Sequence, residues 1–146
     1  MKSLYVVAVS VSMLVAAGTS ARPGDQIEPK KLKHKVWLTL GSEGTIQFKQ
    51  QGDELTKPKL VKNADKDQPG IWVEFNKQPN FLGLALKHRF SKALRYRAAM
   101  RLKGEDFFTE TNLIVPIRSG LISYEAWQDP IEELILFDFK LTDEKS

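Results

Sequence analysis

Short runs in which every second side chain is apolar recur along this chain, each bounded by Gly, Pro, Asn, Asp or Ser. A backbone that turns alternate side chains to opposite faces is a β-strand, so the spacing restricts the fold to a packed set of short strands. Val36, Leu38 and Leu40 share a face in residues 33–40, and Ile46 and Phe48 share one in residues 45–49. Gly41-Ser42-Glu43-Gly44 between them predicts a hairpin loop. A weak run follows at 59–62. Ile71, Val73 and Phe75 alternate with Trp72, Glu74 and Asn76, and residues 81–87 are apolar enough to be covered on both faces. Residues 111–118 contain Pro116, which has no amide donor and belongs at a sheet edge or a bulge. Residues 121–127 follow Ser119-Gly120 as another hairpin. The last run, 134–141, sets Ile135, Phe137, Phe139 and Leu141 against Leu136, Asp138 and Lys140.

Two stretches pull the other way. Asp129-Pro130-Ile131-Glu132-Glu133 carries helix-start signals and predicts one helical turn. Residues 92–103 are good helix formers between Ser91 and Gly104. Period two fits them better: Leu94, Tyr96, Ala98, Met100 and Leu102 fall on one face, and Arg95, Arg97, Arg101 and Lys103 on the other, with only Ala99 out of pattern. A helix would also set Arg97 against Arg101 one turn away. About eight strands result, and they predict a two-layer antiparallel β-sandwich of Greek-key, immunoglobulin-like type over residues 33–146, with a small β-barrel as the alternative.

The amino terminus reads as an export signal. Lys2 precedes an apolar run from Leu4 to Ala17, and Gly18-Thr19-Ser20-Ala21 offers small residues for cleavage. The run is short for a membrane span, so the mature chain is expected to have none. Residues 22–32, with Pro23 and Pro29, read as an extended leader. The chain has no cysteine and no glycosylation sequon, so an exported domain must hold together by apolar packing and strand pairing. A bacterial periplasm or extracellular medium suits such a chain best. Lys and Arg number 22 against 18 Asp and Glu; losing Lys2 with the signal leaves 21 against 18, or +3. That excess is too mild to imply nucleic-acid binding.

Candidate contact residues follow from the strand faces. Arg95, Arg97, Arg101 and Lys103 would lie about 6 to 7 Å apart and could track an anionic polymer. Their competing role is pairing with acids on a neighbouring strand, such as Glu110 or Glu125. Trp37, beside Lys33 and Lys35, and Trp72 fall on outward faces, as stacking platforms or as rings covered by the leader. Trp127 reads as a core plug. Catalysis has little to build on: His34 and His88 lie on different strands, no G-x-S-x-G is present, and thiol chemistry is excluded. Glu105, Asp106 and Glu110, or Glu132 and Glu133, could supply the paired carboxylates of a glycosidase. Asn63-Ala64-Asp65-Lys66-Asp67 resembles the start of a calcium loop but lacks the closing Glu. The expectation is a non-enzymatic exported binding or accessory domain of the cell envelope, needing no cofactor or metal. Its ligand would be a protein or an anionic glycan, held by Trp37, Trp72, Arg95, Arg97, Arg101 and Lys103. A small polysaccharide hydrolase acting through Glu105 and Glu110 is the rival.

Overall fold

The computed structural model describes residues 8–10, 24–62 and 70–143. The rest of the expected export signal and the loop at 63–67 lie outside the described residues. Among the described residues eleven strands occur: β1 (Ala8–Ser10), β2 (Gln26–Ile27), β3 (Val36–Thr39), β4 (Glu43–Gln51), β5 (Glu54–Val61), β6 (Ile71–Lys77), β7 (Leu82–His88), β8 (Ala93–Leu102), β9 (Phe108–Thr111), β10 (Ile122–Trp127) and β11 (Ile131–Thr142). Their hydrogen-bonded order is β1-β10-β7-β6-β4-β5-β11-β8-β9-β2, with β3 also on β11. Among the described residues every strand pairing is antiparallel except β1 with β10. The path ends at β1 and β2 without closing, so among the described residues the sheet is not a barrel.

The sheet folds over on itself as a two-layer antiparallel sandwich with Greek-key connections. One layer contains β10, β7, β6, β4 and β5; the other contains β3, β11, β8, β9 and β2. Ile46, Val73, Phe75, Leu84 and Leu86 of the first meet Leu94, Tyr96, Leu134, Leu136 and Phe139 of the second in a single apolar core. Burial of such side chains, at about 1.5 to 3 kcal/mol each, supplies the cohesion that disulfides cannot.

Three expected local connections differ in the structure. The turn at Gly41-Ser42 is not a hairpin: β3 pairs with β11, whereas β4 pairs with β5 and β6. The Gly41 amide donates to Phe75 O at 2.7 Å and Gly41 has φ +93°, a conformation suited to glycine, as the chain passes from one layer to the other. Likewise, β10 pairs with β7, not with the segment before Ser119-Gly120, and that segment is irregular from Asn112 to Pro116. No helical turn forms after Pro130. The Ile131 amide donates to Asp129 O at 2.9 Å and the chain enters β11 directly, because Ile131 is needed in the core.

β8 is a strand, and Ala99 completes its alternation. It faces outward with the arginines yet is fully buried, in a second apolar cluster with Phe108, Ile135 and Phe137 beneath Ile27 and Leu32. The 24–32 segment therefore lies across the outer face of β8, β9 and β11. It is pinned there by β2 pairing with β9, before a 3₁₀ turn at Pro29–Lys31. A larger residue at 99 would lift it.

β11 also departs from strict alternation. Its register to β8 shifts between Phe137 and Lys140, and Asp138 has φ +58°. This bulge inserts one residue, so Leu134, Leu136, Phe139 and Leu141 face the main core while Ile135 and Phe137 face the second cluster.

Candidate functional site

The outward side chains of β8 divide into two groups. Arg97 lies over the Phe137 ring, 5.0 Å from its centroid, and donates through Nε and Nη2 to both Glu110 oxygens at 2.7 and 2.6 Å. Asp138, aimed by the bulge, adds a contact at 3.5 Å. The Glu110 hydrogen bonds, followed by the nearby negative charges, hold Arg97 still further in its charged form. Arg101 bridges Glu133 at 3.2 Å and Glu132 at 3.1 Å, and donates to Glu105 O at 3.0 Å. Arg95 is half-buried opposite Lys140 and is itself engaged. Arg97 and Arg101 thus belong to the sheet's own network, Arg97 through Glu110 on the adjacent strand and Arg101 through Glu132 and Glu133 on β11.

Lys103 belongs to the second group. It follows β8, is exposed, and has its backbone fixed by an amide donating to Pro130 O at 2.8 Å. Its side chain lines an open cleft of about 450 Å³ at one end of the sandwich. The end of β6 contributes Lys77, and the β6–β7 turn contributes Gln78, Asn80 and Phe81, held by the Gln78 amide donating to Phe81 O at 2.7 Å. Gln128 and Asp129 enter from the β10–β11 connection, Glu132 from the start of β11 and Leu40 from the β3–β4 turn. Glu132 is tied to Arg101. Among the described residues, Lys77 and Lys103 form no ion pair. The walls therefore offer two available ammonium groups, three amides, one untethered carboxylate and an aromatic ring. Clefts of about this volume with a few converging polar groups are common places for a small ligand to bind.

The tryptophans lie elsewhere. Trp37 is on the outer face of the second layer, 45% exposed, with its ring meeting Phe108 edge to face at 5.5 Å. Trp72 is half-buried on the outer face of the first layer, between Thr45 and Lys87 in register. The two rings occupy opposite sides of the sandwich, and neither lines the cleft. Trp127 is in the core, where Nε1 donates to Thr111 Oγ1 at 3.3 Å.

Known protein families, curated proteins and solved structures yield no match to this chain.

The remaining titratable groups are largely committed to the fold. His88 is buried; its Nε2 faces Ile117 O at 2.7 Å, and Nδ1 accepts from the Phe90 amide at 3.2 Å. Those bonds fit the neutral ring protonated on Nε2, and desolvation lowers its pKa against the smaller opposing pull of Ile117 O. His34 Nδ1 accepts from the Lys57 amide at 3.1 Å, where β5 bulges. Glu125 points into the sandwich, 1% exposed, and accepts from the Ile114 amide at 2.7 Å. Burial, and then the Glu125 charge, push the Tyr96 hydroxyl well above its ordinary pKa. Glu110, half of the rival carboxylate pair, has both oxygens on Arg97. Among the described residues no group of three or more His, Asp or Glu could hold a metal ion, and no helix is long and apolar enough to cross a membrane.

The sequence reading missed Lys77, Phe81, Gln128 and Asp129 as site residues. They come from turns about 50 residues apart that only the strand lengths bring together. The signals were Gln78-Pro79-Asn80 and Asp129-Pro130, turn-forming pieces at the same end of the sandwich.

Proposed function

We propose that this chain is an exported, non-enzymatic binding domain of the cell envelope whose cleft holds an anionic glycan. The observation that carries the reading is the pair of lysines, Lys77 and Lys103, facing one cleft with no acid paired to either among the described residues. Ammonium groups in this setting bind carboxylates by charge-assisted hydrogen bonds. Gln78, Asn80, Gln128 and Asp129 have the donor and acceptor chemistry for sugar hydroxyls, and Phe81 offers an apolar surface to a sugar ring. A uronic-acid oligomer combines those features. Arg97 and Arg101 act in this reading as internal ties that leave the terminal lysine to the ligand.

Calorimetric titration of the full chain with a short oligogalacturonate and with a neutral maltooligosaccharide of equal length tests the proposal. The acidic oligomer is expected to bind, more weakly as salt rises, because the cleft is open and its charges are screened. Equal affinity for the neutral sugar, or no binding of the acidic one, would overturn it.

A further inference from the structure

Adjacent residues of a regular strand point to opposite faces, yet Glu132 and Glu133 both reach Arg101. The pairing of β11 with β8 explains why. Ile131 lies opposite Leu102 and Glu133 opposite Arg101, so two steps along β11 answer one step along β8. Glu132 is the extra residue of this bulge, a device that re-aims side chains. Its carboxylate takes Arg101 Nη1 at 3.1 Å, while that of Glu133 takes Nε at 3.2 Å. Nη1 also donates to Glu105 O at 3.0 Å, and the Glu105 amide donates to Leu102 O at 2.9 Å across the turn that carries Lys103. One guanidinium thus joins a wall of the cleft to the turn beside it, a task for a planar fork of donors that an ammonium lacks. Of the two acids only Glu132 lines the cleft, and Arg101 itself does not. The charged side chains that do are Lys77, Lys103, Asp129 and Glu132, two of each sign. Walls so balanced have no preference for an anion. The bond from Arg101 to Glu132 removes one acid from that balance and leaves two ammonium groups facing Asp129. Glu132 and Lys103 also start from neighbouring backbone, since the Lys103 amide donates to Pro130 O at 2.8 Å.

We propose that Arg101 is the positioning residue that sets the selectivity of the cleft for anions: it holds Glu132 away from Lys103, so that the space beside that ammonium stays open to a carboxylate of the ligand. The role rests on the glycan reading of the cleft and adds to it a residue that touches no ligand. Without Arg101, the Glu132 carboxylate pairs with Lys103 and competes with the oligomer from within the chain, at an effective concentration that a dilute ligand does not match. Glu133 stays outside this competition, because it does not line the cleft.

Calorimetric titration with a short oligogalacturonate compares four full-length chains: the unaltered one, Arg101→Gln, and two double variants in which Arg101→Gln is joined by Glu132→Gln or by Glu133→Gln. The two doubles have the same net charge and both lack the guanidinium; they differ only in which acid remains. Arg101→Gln is expected to weaken binding about fivefold, the worth of a partly exposed ion pair. Adding Glu132→Gln restores affinity to within about twofold of the unaltered chain, and adding Glu133→Gln does not. A merely structural role for Arg101 weakens both doubles alike, so equal affinities in the two would overturn the proposal, as would an Arg101→Gln chain that binds like the unaltered one. The comparison between the doubles decides the matter even where the single variant fails to fold. No binding to the unaltered chain overturns the glycan reading itself, whereas binding there with equal doubles strikes only the role of Arg101.

Discussion

The two outer faces of the sandwich were written in the same period-two code and have become different surfaces. On the second layer, Ile135, Phe137, Ala99 and Phe108 form an apolar floor under Ile27 and Leu32, rimmed by arginines that are tied to Glu110, Glu132 and Glu133. On the first layer, Trp72, Glu74, Asn76, Lys87 and Tyr124 are half-buried, and the Tyr124 ring lies against Gly83, where a Cβ would come within 3.0 Å of its hydroxyl. A strand face becomes a second core when small or apolar residues line up across three strands and a neighbouring segment can lie over them. Alternation within one strand does not reveal that alignment.

The contrast can be broken most sharply at Phe137. Truncation to Ala should cost about 3 kcal/mol or more in urea unfolding, because a 3% exposed ring vanishes and Arg97 loses its platform. Ala99→Arg, which completes the cationic row, should cost about 2 to 3 kcal/mol by forcing a charge under Ile27 and Leu32. Trypsin cleavage at Lys30 and Lys31 should then accelerate. Arg97→Gln should cost about 1 kcal/mol, its 48% side-chain exposure limiting the worth of the Glu110 pair, while Lys103→Gln stays within about 0.5 kcal/mol of the unaltered chain. Trp72→Ala should have the smallest effect on the second layer, leaving trypsin cleavage at Lys30 and Lys31 unchanged. Acceleration there equal to that of Ala99→Arg would show that the two faces are not independent.

Sequence alone revealed the sandwich class and the strand nature of residues 93–102, because inward Leu94, Tyr96, Ala98 and Met100 set a period that no helix shares. It also pointed to Glu110 as a partner for the cationic row. It did not reveal which strands pair. Gly41-Ser42 carries the composition of a hairpin turn but joins strands in different layers, and that choice is made by long-range packing of Val36 and Leu38 against β11. Nor did it reveal the Asp138 bulge, since Asp in a left-handed conformation looks in sequence like any outward polar residue. The cleft escaped for the same reason as the pairing: Lys77 at the end of β6 and Lys103 after β8 come to line one cleft only through the tertiary fold.

In the proposed function the cations of residues 95–103 divide between holding the sheet and meeting a ligand. Titrating a short oligogalacturonate into Arg97→Gln and Lys103→Gln tests it most directly. Affinity is expected to be unchanged in the first variant and to fall about tenfold in the second, the worth of one charge-assisted hydrogen bond. Loss confined to Arg97→Gln, or equal loss in both, would contradict it.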